Sequence, residues 1–283
     1  MALFNRLMAL INHLFIALLF TGSSVIAFAA QNLSEPLKSS EISYVGEAYL
    51  LGSSNSSNTL LYREEHRLLL QAGKPVKRQV NYYSAEGELI ASKENWYLSS
   101  PTQPDFILTD FRTDYREEAK STETSNTNTL TLILTENQET EQTQLTEFDY
   151  ELVIDAGFDD FIRQHWDALL AGKTIPFSFA SVARQTSVNF EVEAQNPEQS
   201  DATNLKLEMT LRSSLLSWLM SPIKLEYDRN TQRLMRYRGL SNIQDKNGDG
   251  QEVDIRYHYY EPSSPSTAIN SVHSSAVQPG EAN

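Results

Sequence analysis

Cysteine is absent from all 283 residues. That excludes a disulfide framework, a cysteine-ligated zinc site and a thiol nucleophile. Basic charge is scarce as well, with 23 Lys and Arg against 37 Asp and Glu and a formal net charge of -14. A chain this acidic repels a polyanion, so nucleic acid is excluded as a partner held by bulk charge. There is no Gly-x-Ser-x-Gly elbow, no phosphate-cradling glycine loop and no His-Glu-x-x-His pair, which removes the commonest hydrolase, nucleotide and zinc-protease signatures. Long apolar runs are missing too. The uninterrupted stretch Leu14-Phe15-Ile16-Ala17-Leu18-Leu19-Phe20 is much shorter than the roughly 20 residues a spanning helix needs, so the chain is expected not to span a membrane.

What is present begins with an address. Arg6, the short apolar stretch and the small residues Ala27-Phe28-Ala29-Ala30 follow the order of a secretory signal, here residues 1–29, with cleavage after Ala29. Without a nearby cysteine the new terminus carries no lipid, and an exported chain without disulfides depends on its core for stability. Residues 30–40 read as an unstructured linker and 262–283 as an unstructured tail, because Pro, Ser, Ala and Asn replace the periodic apolar residues there. Residues 41–261 then form a single β-rich domain.

Period two dominates that domain. Leu205, Leu207, Met209 and Leu211 alternate with Lys206, Glu208, Thr210 and Arg212, the pattern of a strand with one wet and one dry face. Similar alternation runs through Leu130 to Leu134, Val188 to Val192, Ile223 to Tyr227 and Val253 to Tyr259. Turn residues at 85–88, 228–231 and 247–250 separate such runs as hairpins. The expected fold is mainly β: a strongly curled antiparallel sheet or unclosed barrel of about 11–13 strands.

One segment breaks the period. From Asp155 to Ala171, Phe158, Phe161, Ile162, Trp166, Leu169 and Leu170 recur at three- and four-residue spacing; Asp159 and Asp160 lie in the first turn and Gly172 follows the end. That is the punctuation of a helix, expected to lie inside the curl. A short second helix is expected over Ser213–Ser221, ended by Pro222, either buried or acting as a lid.

The segments Gly46-Glu47-Ala48-Tyr49, Leu61 to His66, Pro104-Asp105-Phe106, Asp114 to Glu117, Asp155 to Asp159 and Tyr237 to Ile243 together resemble a group of uncharacterised exported proteins of proteobacteria. The resemblance implies a Gram-negative periplasm and brings no activity and no catalytic residues. In architecture alone, a curled antiparallel sheet around a helix is similar to the unclosed barrels of periplasmic lipoprotein carriers, which implies fold and not function.

Candidates for chemistry are few. Asp245 to Gly250 matches the first half of a calcium loop, but Arg256 stands where the bidentate Glu belongs, so the segment reads as a polar hairpin turn and no metal site is assigned. Glu64 and His66 share a strand face and read as a solvated pair, as His258 reads as an exposed strand residue. His165 marks the edge of the helical apolar stripe. Asp105, Asp110, Asp114, Glu117 and Glu118 interleave with Phe106, Phe111 and Tyr115, which would suit a carboxylate-based hydrolase only if they converge.

The remaining set, Phe158, Phe161, Trp166, Leu169, Trp218 and Leu219, reads either as core or as the lining of a greasy groove. The expectation is therefore a non-enzymatic, cofactor-free periplasmic protein that binds a lipid or other apolar small molecule through these residues. The alternatives are an envelope protein-interaction module with a filled core, and a carboxylate-based hydrolase.

Overall fold

The computed structural model describes residues 39–51, 59–124, 127–195, 203–212 and 221–260. The signal segment, residues 30–38 of the expected linker, the 213–220 part of the expected second helix and the tail lie outside them, while Ser39 and Ser40, expected in the linker, belong to the first strand.

The described residues form one 15-stranded sheet whose order follows from how the chain is threaded. From β1 (Ser39–Leu50) it meanders outward through β2 (Leu60–Gln71), β3 (Lys74–Ser84), β4 (Leu89–Trp96), β5 (Asp105–Asp110), β6 (Arg116–Thr124), β7 (Thr127–Glu136) and β8 (Glu139–Leu145) to one edge. It then crosses to the opposite edge at β9 (Leu152–Val153). After the helical segments α1 (Phe158–Gln164) and α2 (Trp166–Leu170), the return runs through β10 (Ile175–Ser181), β11 (Thr186–Ala194), β12 (Asn204–Leu211), β13 (Ile223–Asp228) and β14 (Leu234–Leu240) to β15 (Glu252–Tyr259). The last strand pairs antiparallel with the first, so a single ladder joins the two meanders. β9 and β10 are the one parallel pair among the described strands.

The sheet curls without closing. β8 and β9 are its free edges, yet the turn at Val182–Arg184 packs on β6 and β7, and β11 approaches β8. Twist accumulated over so many strands produces this curl, because each strand is rotated about 20–25° from its neighbour. The strand count exceeds the expected range. β8, sequence Glu-Thr-Glu-Gln-Thr-Gln-Leu, is almost wholly exposed and joins the sheet through its backbone, so it lacks the apolar alternation that marks the others.

The interior holds two apolar clusters. One gathers Tyr62, Tyr82, Leu108 and Leu132 from the first meander; the other packs Phe161, Ile162, Trp166 and Leu169 of the helices onto Phe177, Val192, Leu207 and Leu225 of β10–β13. The expected helix is thus inside the curl, but it is not continuous. A 3₁₀ turn at Asp155–Gly157 leads into α1, and His165, at φ -100° and ψ 14°, breaks the axis before α2. Gly172, at φ +74°, ends the unit.

Gly157 fixes where this unit docks. A β-carbon there would stand 2.2 Å from the carbonyl oxygen of Thr102, far inside contact distance. Only glycine lets the backbone lie against the 97–104 loop, an approach reinforced by the Ile154 amide donating to the Thr102 carbonyl at 3.0 Å.

Candidate functional site

Strand alternation carries polar side chains inside. On β2 the buried face is Tyr62, Glu64, His66 and Leu68, while Arg63, Glu65 and Arg67 face water. On β3 it is Arg78, Val80 and Tyr82, and on β4 it includes Ala91, Lys93 and Asn95. Register then builds one row across the concave surface: Tyr44, His66, Val80, Lys93, Leu108 and Glu117 are successive partners on β1 to β6. The solvated reading of Glu64 and His66 is therefore corrected. Both are inward-facing and buried, and His66 Nε2 lies 2.8 Å from the Glu64 carboxylate. Tyr44 stacks on the imidazole at 4.2 Å.

The helical unit supplies the counter-charges. Asp155 adopts φ +40°, a left-handed conformation uncommon for a residue with a β-carbon, and its surroundings hold it there. Its carboxylate accepts Lys93 Nζ at 2.9 Å and Asn95 Nδ2 at 2.7 Å. One helical turn on, the buried Asp159 accepts Arg78 at 3.0 Å and the Tyr227 hydroxyl at 3.1 Å. Burial alone would raise both carboxyls. The charge of Lys93 in one case and of Arg78 and Arg163 in the other outweighs it and lowers them. Two buried ion pairs thus pin the start of the helix to β3 and β4.

Three other groups are perturbed by the same interior. Burial lowers the His66 imidazole against the opposing pull of Glu64. It lifts the Tyr44 hydroxyl to about 12. Glu117 is raised to about 7, first by burial and further by the nearby Asp155 charge, against the hydrogen bond donated by the Tyr115 hydroxyl.

A cavity of about 470 Å³ lies between the two halves of the curl. Its volume is in the usual range for small-molecule sites, about 300–1,000 Å³. Its floor is the polar row with Glu64, His66, Arg78, Lys93, Glu117, Asp155 and Asp159; its opposite wall is Phe158, Phe179, Val188, Phe190, Met209, Leu211, Ile223 and Leu225. One side is greasy and the other is charged. No family model, curated protein or solved structure matches the chain. The site is accordingly read from its own geometry.

Of the six residues expected to line a groove, Phe158 lines this cavity. Phe161, Trp166 and Leu169 instead fill the core between the helices and β10–β13, and Trp218 and Leu219 lie outside the described residues. His165 is half-buried at the stripe's edge, 3.1 Å from Glu151. The expected acidic cluster does not converge. Asp105 accepts the Ser121 amide, Asp110 clamps Arg112, Asp114 caps the turn at Asn137 and Gln138, and Glu118 pairs outward with Arg116 and Lys120. Glu117 alone of the five reaches the cavity. The calcium-like segment is the β14–β15 turn, with Asp245 accepting the amides of Asn247 and Asp249 at 2.8 and 2.9 Å. His258 is exposed.

Sequence reasoning missed Arg78, Lys93, Asp155 and Asp159 as parts of a site. The signal was available for the first two, since each occupies the same alternation phase as Val80 or Ala91.

Proposed function

We propose that the protein is a non-enzymatic binding protein that takes a lipid or acyl chain into the cavity between its helix-bearing half and β2–β6, and that it does so in the periplasm. The observation that carries this reading is the contiguous apolar wall from Phe158 to Leu225 facing a space of about 470 Å³. Binding would come from burial, with each methylene removed from water contributing about 0.8 kcal/mol. The periplasmic location rests on the signal-like order of residues 1–29. The existence of the cavity counts against a module with a filled core. The scatter of Asp105, Asp110, Asp114 and Glu118 counts against a hydrolase built on that cluster.

The test is native mass spectrometry of protein purified without detergent, followed by solvent extraction. A co-purifying species identified as a lipid supports the reading. So does one-to-one uptake of an added fatty acid or long-chain amine that is lost in Val188→Asp and Leu211→Asp, two half-buried wall positions where a carboxylate can be placed without emptying the core. Apo protein that takes up neither, or uptake unchanged in both folded variants, overturns it.

A further inference from the structure

The charges on the cavity floor are unevenly matched. Lys93 is paired with Asp155 and Arg78 with Asp159, at 2.9 and 3.0 Å. Glu64 is only 4% exposed, and among the described residues it has no lysine or arginine within 4.0 Å. Its partner is the His66 imidazole, which burial biases toward the neutral form. A carboxylate withdrawn from water without a facing cation is unfavourable, and a cation brought by a ligand would relieve it.

The surroundings specify what kind of cation. Tyr82, Tyr237 and Tyr257 line the cavity with Glu64; Tyr82 is its cross-strand partner on β3, and Tyr257 is the partner on β15 of Gly46, which faces Glu64 from β1. Gly46, opposite Glu64 in register, keeps the space open. A β-carbon there would sit 2.8 Å from the Tyr257 ring and 3.0 Å from the Glu64 carboxylate. Rings beside a carboxylate suit an organic ammonium, which gains both cation–π and Coulomb attraction. His66 adds a hydrogen-bond requirement. Nε2 is within hydrogen-bond reach of a carboxylate and so carries the proton, which leaves Nδ1 an acceptor; that atom is buried without a partner, on a residue that lines the cavity. An acceptor next to a carboxylate calls for a donor with N–H groups.

We propose that Glu64, the His66 Nδ1 and the rings of Tyr82, Tyr237 and Tyr257 form a site for a protonated primary amine, and that the ligand is a long-chain ammonium amphiphile whose chain lies along the Phe179–Phe190–Met209 wall. This rests on the apolar-ligand reading above, and the test separates the two. Decylammonium, decanoate and methylammonium are titrated calorimetrically against the full chain at pH 7, with the chain-bearing probes well below micelle formation. The expected result is that decylammonium binds at least tenfold more tightly than decanoate, and that Glu64→Gln removes this preference while leaving decanoate binding intact or stronger. Decanoate binding as tightly as decylammonium overturns the ammonium site and leaves the apolar-ligand reading standing. Methylammonium binding that depends on Glu64 and gains nothing from a chain overturns the apolar reading and leaves the site. If none of the three binds, both fail. Should Glu64→Gln not fold, the comparison of probes on the native chain decides alone.

Discussion

Glu117 offers the most direct check on the physics of the cavity floor. Its carboxyl is half-buried on β6 and raised from 4.5 to about 7, with burial the largest cause and Asp155 adding to it. In the unfolded chain the same group ionises near its ordinary value, so between pH 4.5 and 7 the folded state binds more protons than the unfolded one. Stability then falls as pH rises through that window, and the loss is complete above it. At 1.36 kcal/mol per pH unit the full gap corresponds to about 3 kcal/mol, and residual solvent contact reduces this to about 2 kcal/mol. Glu117→Gln keeps an acceptor for the Tyr115 hydroxyl and cannot ionise. The variant should match the wild type near pH 5 and exceed it by about 2 kcal/mol at pH 8, which for a domain of this size is a rise in Tm of about 4–8 °C. Urea denaturation followed by tryptophan fluorescence at half-unit steps from pH 5 to 8 measures the difference directly. Asp155 and Asp159, whose carboxyls are lowered, act in the opposite sense, contributing stability above their ordinary range and losing it toward acid, so they do not contaminate this window. A wild-type-to-variant gap that is constant with pH, or a variant less stable at pH 8, refutes the reasoning.

Three further outcomes follow from the packing. Lys93→Met strips the buried Asp155 of its cation and should destabilise by about 3–5 kcal/mol, whereas Lys93→Met combined with Asp155→Asn should recover part of that loss; chemical denaturation of the single and double variants reads both. Gly157→Ala places a β-carbon 2.2 Å from the Thr102 carbonyl oxygen, so the helix start must move off the 97–104 loop; a cost of about 1–3 kcal/mol and faster amide exchange at Ile154 are expected, and an unchanged exchange rate would contradict the docking. Phe161→Ala empties a fully buried position between the helices and β10–β13 and should cost about 3–5 kcal/mol by thermal denaturation, in contrast to less than about 1 kcal/mol for an exposed residue such as Phe111→Ala.

The sheet, the enclosed helix and most hairpins were legible because each rests on local periodicity that the backbone obeys. β8 was not, since an exposed edge strand needs no apolar face. The cavity floor was half legible. Glu64 and His66 alternate in phase with Tyr62 and Leu68, and Arg78 with Val80 and Tyr82, so the alternation already pointed them inward while their polarity argued for water. Phase was the better guide, because a strand cannot turn single residues outward without a bulge. What no local pattern carries is the partner that makes such burial tolerable. Lys93 meets Asp155 across 62 residues of sequence and Arg78 meets Asp159 across 81. The same pairing explains the strained φ of Asp155, which aims its carboxylate at β4 and not along the helix it begins. The two halves of the curl therefore divide the work: β10–β13 turn apolar residues inward and hold the helices, while β3 and β4 turn in Arg78 and Lys93, which the acids at the helix start neutralise, and β2 and β6 turn in the carboxyls of Glu64 and Glu117. A space between two such surfaces is amphipathic by construction, and Glu64, a buried floor carboxylate with no lysine or arginine partner among the described residues, is where a charged ligand would be felt most.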